Sequence, residues 1–158
     1  MEVEEFLAPE NVTPRLIAKN KRQVLKILAQ KAELSLGLDG SELLRQLIDR
    51  ENLGTTGIGG GIALPHCSMG FQPEFSDQNV FGFFAKLDTA VDFEAVDGNK
   101  VDLVFMLIAD TRSSAQHLKA IAKLARLFRD PIMAEALRSA TDPDLIYAIL
   151  TGQSRALD

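Results

Sequence analysis

The chain has 158 residues, 46% apolar and 25% charged, with 22 acidic against 17 basic side chains and a net charge of -5. That length suits one domain spanning 1–158, that apolar content excludes a disordered chain, and the acidic surplus argues against binding a nucleic-acid backbone. With Cys67 as its single cysteine the chain can form neither an internal disulfide nor a cysteine-based zinc site, and His66 and His117 are its only imidazoles.

The apolar stretches at 80–87 and 103–109 are too short to span a membrane. The acidic start at 1–5 lacks the basic-then-apolar layout of a signal peptide, so the chain reads as cytoplasmic.

A short extended piece is expected at 12–16, interrupted by Pro14. From 20 to 36, Val24, Leu25, Ile27, Leu28 and Ala32 keep helical spacing, with Asn20 placed as N-cap and Gly37 as stop. A second helix starts at Asp39, where Asp39 and Glu42 resemble a capping box, and ends near Arg50 or Glu51. The segment 54–61 holds five of the eleven glycines and reads as a loop, followed by a short strand at 62–66. Residues 70–79 read as a surface loop. Strands buried on both faces are expected at 80–87 and 101–109, with a brief extended stretch near 90–93 and an Asp97-Gly98 turn between them. Three helices follow, at 113–128, from Pro131 to 137, and from Pro143 to 150, before a polar tail from Gly152. Helices on both sides of an apolar sheet segment argue for a layered α/β domain.

The glycine-rich loop fails two nucleotide tests. A Walker loop needs Lys-Ser or Lys-Thr after its last glycine, where Ile62-Ala63 stands, and a dinucleotide fingerprint needs strand, loop, helix rather than helix, loop, strand. Thr55, Thr56, Gly59, Gly60 and Gly61 remain candidates for a backbone cradle around an anion; a tight turn without ligand is the alternative. His66 stands at the end of the short strand, where one ring nitrogen can be held by the fold while the other acts as a nucleophile; a purely structural histidine is the alternative. His117 opens the helix after 101–109, so parallel pairing of the two strands would bring both imidazoles to one sheet edge; the alternative is a helix-surface residue beside Ile121 and Leu124. Asp88, Asp92, Glu94, Asp97 and Asp102 are scattered around turns and suggest no catalytic pair. Lys119, Lys123 and Arg126 read as a solvated helix face, with a docking patch as the minority alternative.

The run Arg50-Glu-Asn-Leu-Gly-Thr-Thr-Gly-Ile-Gly-Gly-Gly-Ile-Ala-Leu-Pro-His66 resembles the signature of the fructose/mannitol type of enzyme IIA in the bacterial phosphoenolpyruvate-dependent phosphotransferase system. The likeness continues through Val101-Asp-Leu-Val-Phe and His117-Leu-Lys-Ala-Ile-Ala, covers about 6–150, and is closest to the nitrogen-regulatory branch. It implies a three-layer α/β/α single domain with a mixed central sheet, without cofactor or metal. It also implies a His66 that accepts a phosphoryl group from an HPr-like phosphocarrier protein, with His117 and Arg50 beside it. Regulatory protein targets follow from the nitrogen branch. A sugar-specific enzyme IIA serving a IIB domain, or a non-catalytic binding module, are the alternatives, and the resemblance leaves room for a weak homodimer. Three positions depart from the family pattern: Cys67 where Gly is common, Ser68 where Lys often follows, and Gly60 where a polar residue is frequent.

Overall fold

A computed structural model of the protein describes residues 1–70 and 78–156, with side chains to 152. In chain order its elements are a 3-10 turn at Val3–Glu5, β1 (Leu7–Leu16), α1 (Lys21–Leu36), α2 (Gly40–Leu53), β2 (Gly57–Gly59), β3 (Ile62–Ala63), β4 (His66–Met69), β5 (Val80–Val91), β6 (Val101–Asp110), α3 (Ser114–Leu127), α4 (Pro131–Ser139) and α5 (Pro143–Ala156). The central part of the expected surface loop, 71–77, lies outside the described residues.

The sheet order is β1-β5-β6-β3-β2, with β4 also paired to β6. β1 is parallel to β5, β5 antiparallel to β6, and β6 parallel to both β3 and β4, so the sheet is mixed. Ile62 pairs with Leu103 and His66 with Leu107, which sets β3 and β4 one after the other along the same edge of β6.

Side-chain alternation along β6 divides the core in two. Val104, Met106 and Ile108 pack with α1 and α2 through Leu25, Leu28, Leu43 and Leu47. Leu103, Phe105, Leu107 and Ala109 face the opposite way and pack with α3, α4 and α5 through Leu124, Leu137 and Ile146. The result is the expected three-layer α/β/α arrangement. Phe105 anchors the second core, with ring centroids 6.0 Å from Phe6, 6.1 Å from Phe84 and 6.5 Å from Phe128. Gly82 makes room for it, since a Cβ there would lie 2.6 Å from Phe105 Cε1.

The helix starts and stops follow local chemistry. Asn20 accepts from the Gln23 N–H, and Gly37 closes α1 in the left-handed region at φ 72°. Asp39 accepts from the Ser41 and Glu42 amides, but the reciprocal half of the capping box is missing because the Glu42 carboxylate turns to Arg45 and Gln46.

Several elements differ from the sequence expectation. β1 begins at Leu7 rather than 12 and contains Pro9 as well as Pro14. It tolerates them as an edge strand with irregular register, where a missing N–H breaks few ladder bonds. The glycine-rich loop is the β2–β3 hairpin, with Gly60 and Gly61 both at positive φ at its turn. The expected strand at 62–66 is broken at Leu64-Pro65 into β3 and β4. β5 runs unbroken through Val91, absorbing the extended stretch near 90 with a register shift after Lys86. α5 continues past Gly152 to Ala156, because one glycine costs a helix only about 1 kcal/mol relative to alanine.

Candidate functional site

His66 opens β4 and is half-buried. Its Nδ1 lies 2.8 Å from the Leu64 carbonyl, which can only accept, so Nδ1 carries the hydrogen and Nε2 keeps the lone pair, toward which the Arg50 Nε–H points. Cys67 and Met69 belong to the core under α1 and α2, so by alternation His66 and Ser68 turn toward the α3 layer.

Arg50 approaches from the other helical layer, at the last turn of α2. Its Nε reaches His66 Nε2 at 3.4 Å, while Nη1 donates to the Gly54 carbonyl at 2.8 Å. His117, in the first turn of α3, brings its ring to 5.5 Å from that of His66, centroid to centroid. Its Nδ1 lies 3.5 Å from Ser68 Oγ, and its Nε2 is buried with no hydrogen-bond partner among the described residues. The turn that presents α3 is held by Asp110, which accepts from the Arg112 amide and guanidinium and is thereby held down at about 2.

Burial lowers the basicity of both imidazoles. For His117 desolvation, then the neighbouring His66, brings the pKa to about 4. For His66 desolvation is also the largest cause; Arg50 adds to the lowering, while the Leu64 carbonyl and Glu51 oppose it. Two neutral imidazoles beside a guanidinium therefore occupy the site near pH 7.

The structure brings His66, Arg50 and His117 together. It does not bring the glycines. The Gly60-Gly61 turn adjoins Asp102 and Leu103, whereas His66 pairs with Leu107, about 13 Å further along the sheet at the usual rise per residue. The Gly60 N–H is taken by Asp97 at 3.0 Å, and the Gly60 carbonyl by Arg138, itself bidentate with Asp102. Thr55 and Thr56 are also committed: the Thr55 hydroxyl donates to the Phe93 carbonyl at 2.6 Å, and that of Thr56 to Glu51. These residues form a braced hairpin, which accounts for the glycine signal without an anion.

Cys67 is buried, and desolvation pushes its thiol up to about 12. Of the basic residues expected on the outer face of α3, Lys119 and Arg126 are exposed but Lys123 is buried. Among the described residues no three His, Cys, Asp or Glu side chains come together as a metal site, and no helix is long and apolar enough to cross a membrane.

Sequence reasoning missed Glu51, buried on α2 and paired with Lys21 at 2.7 Å. The signal was available, since Leu43, Leu47 and Glu51 continue one stripe at four-residue spacing.

The family model of the phosphoenolpyruvate-dependent sugar phosphotransferase system, EIIA 2, matches residues 5–153. The chain belongs to this family. Among EIIA 2 relatives it is 43% identical over 150 residues to a nitrogen regulatory protein of Bradyrhizobium diazoefficiens, covering 95% of each. It is 27% identical over 151 residues to the fructose-specific EIIABC component of Bacillus subtilis, covering 95% of this chain and 23% of that protein. The crystal structure of the nitrogen regulatory protein IIA-Ntr from Neisseria meningitidis superposes with TM-score 0.86 at 27% identity, over 94% of this chain and 99% of that one. The mannitol enzyme IIA of Escherichia coli, solved in complex with phosphorylated enzyme IIB, shares the fold with TM-score 0.73 at 22% identity, over 92% and 96%.

Proposed function

We propose that this EIIA 2 protein is a histidine phosphocarrier whose His66 Nε2 accepts a phosphoryl group from the phosphohistidine of an HPr-like carrier in the cytoplasm, its phosphorylation state then being read by regulatory protein targets. The supporting observation is the commitment of His66 Nδ1 to the Leu64 carbonyl, which leaves Nε2 as the nucleophile beside Arg50. In the transfer a P–N bond forms at His66 Nε2 as the donor's P–N bond breaks, and the donor nitrogen recovers its electron pair. Such a reaction asks the protein for alignment and for charge on the equatorial oxygens. Arg50 supplies a fixed cation. The unpartnered Nε2 of His117 supplies a hydrogen-bond donor to the phosphoryl oxygens when it carries the ring hydrogen. Desolvation keeps His66 neutral, and so nucleophilic, at pH 7.

The nitrogen regulatory relative at 43% identity favours the regulatory role. The fructose-specific relative supports a second reading, transfer to a sugar-specific IIB domain. Incubation with phosphoenolpyruvate, enzyme I and carrier should give an acid-labile, alkali-stable phosphoramidate that His66→Ala abolishes; undiminished labelling of that variant overturns the assignment. Passage of the label to an added fructose- or mannitol-type IIB would select the second reading.

A further inference from the structure

Glu51 is a buried carboxylate to which phosphoryl transfer by His66 gives no task. It pairs with Lys21 Nζ at 2.7 Å, accepts from the Thr56 N–H at 3.1 Å, and takes the Thr56 hydroxyl as well. Lys21 is itself held by the Phe93 carbonyl at 3.3 Å and lies over the Phe93 ring. Well-packed apolar residues usually stabilise a fold at least as well as a buried ion pair, so stability alone is a weak reason for this one.

Two chains of hydrogen bonds leave Glu51 and end on the two groups that flank the reacting position. Along one, the carboxylate fixes Thr56, whose carbonyl accepts the Leu64 N–H at 2.9 Å, and the Leu64 carbonyl accepts His66 Nδ1–H at 2.8 Å. The other runs through the main chain alone and does not involve the carboxylate: the backbone carbonyl of residue 51 accepts the Gly54 N–H at 3.1 Å at the end of α2, and the Gly54 carbonyl accepts Arg50 Nη1 at 2.8 Å. The His66 ring is thus tied, through Thr56 and Leu64, to a carboxylate with which it makes no hydrogen bond.

We infer that Glu51 is a positioning residue, which through Thr56 and Leu64 holds His66 in its Nδ1–H tautomer; its kinetic consequence rests on His66 being the phosphoryl acceptor. A tautomer error removes the lone pair from Nε2, so the defect is chemical rather than one of docking. Among the described residues, Arg50 and Glu51 from α2 and His117 from α3 are the ionisable groups that act on or lie against the His66 ring.

The test uses Glu51→Gln, which keeps the volume, and Thr56→Val, which exchanges the hydroxyl for a methyl of similar size, with Thr56→Ser as the rescue. In 15N-labelled unphosphorylated protein at pH 8, long-range proton–nitrogen correlations should show His66 as the Nδ1–H form in the parent and Thr56→Ser, and as a mixture of tautomers in Glu51→Gln and Thr56→Val. Carrier-dependent labelling should slow in kcat by about tenfold in the latter two, with KM for the carrier unchanged. Parental tautomer spectra in both Glu51→Gln and Thr56→Val overturn the inference, as does a defect confined to KM. Should Glu51→Gln fail to fold, Thr56→Val alone decides. If the carrier labels not even the parent, the acceptor reading fails, while the spectra still decide the part played by Glu51.

Discussion

The imidazole rings of His66 and His117 meet edge to face, their centroids 5.5 Å apart and their planes at 78°. β4 delivers one and the first turn of α3 the other, both from the same end of β6. Burial first, and then the proximity of His66, penalise a positive charge on His117, and burial does the same for His66.

His117→Ala should therefore still be phosphorylated, at His66, but should exchange the group with the carrier about tenfold more slowly in both directions, the scale of one lost charge-assisted hydrogen bond. Quench-flow kinetics with phosphorylated and unphosphorylated carrier measure this. Parental rates in both directions, with parental stability, would leave His117 as packing only.

Acid should unfold the protein partly through the same ring. Its folded pKa of about 4 lies below the ordinary 6.5, so below pH 6.5 the unfolded chain binds a proton that the folded chain refuses. Stability is insensitive to this group above pH 6.5 and falls by about 3 kcal/mol as the pH drops to 4, at 1.36 kcal/mol per pKa unit. His66 acts in the same direction. Urea titrations from pH 7.5 to 4 should show a shallower loss in His117→Gln than in the parent; parallel curves would count against the buried neutral ring.

Gly61→Ala should destabilise the protein by about 2 kcal/mol, the cost of a strained left-handed residue, while labelling at His66 proceeds at the parental rate. Gly61 sits at φ 79°, and a Cβ there would strike the Arg138 guanidinium and approach Asp102 Oδ1 to 2.9 Å. A labelling defect in a variant of parental stability would instead restore the glycines as an anion cradle.

Cys67 should be inert in the folded state. With its thiol at about 12 and its side chain in the core, almost no thiolate is present at pH 8. Ellman's reagent should release colour only after denaturant is added, and peroxide should leave carrier-dependent labelling intact. Rapid reaction of the native protein would show instead an accessible, reactive thiol beside His66.

The sequence carried the helices well because their punctuation is local: Asn20, Gly37, Asp39 and Pro131 each act within one turn. It carried His66, Arg50 and His117 through the resemblance of the motif around them. β2 and β4 escaped notice because they are too short to show a pattern: β2 becomes a strand as the hairpin partner of β3, and the four-residue alternation of β4 counts only because β6 offers it an edge. The glycines were ambiguous for the complementary reason: a hairpin turn and an anion cradle demand the same backbone freedom, and the structure adds braces from Asp97 and Arg138 that the sequence did not show. Lys123 was assigned to solvent by its neighbours' charge, although its position faces the core.

The break at Leu64-Pro65 also governs which length changes this gene can survive. β3 is locked to β6 at Ile62, and β4 resumes the same edge at His66, so the parity of the intervening count decides which side chains of β4 face α3. Deleting or inserting one codon there would exchange the two sets, sending the imidazole into the hydrocarbon interior and the thiol outward. A one-residue change of length between Ala63 and His66 would therefore disable the site even where it leaves every reactive residue in place.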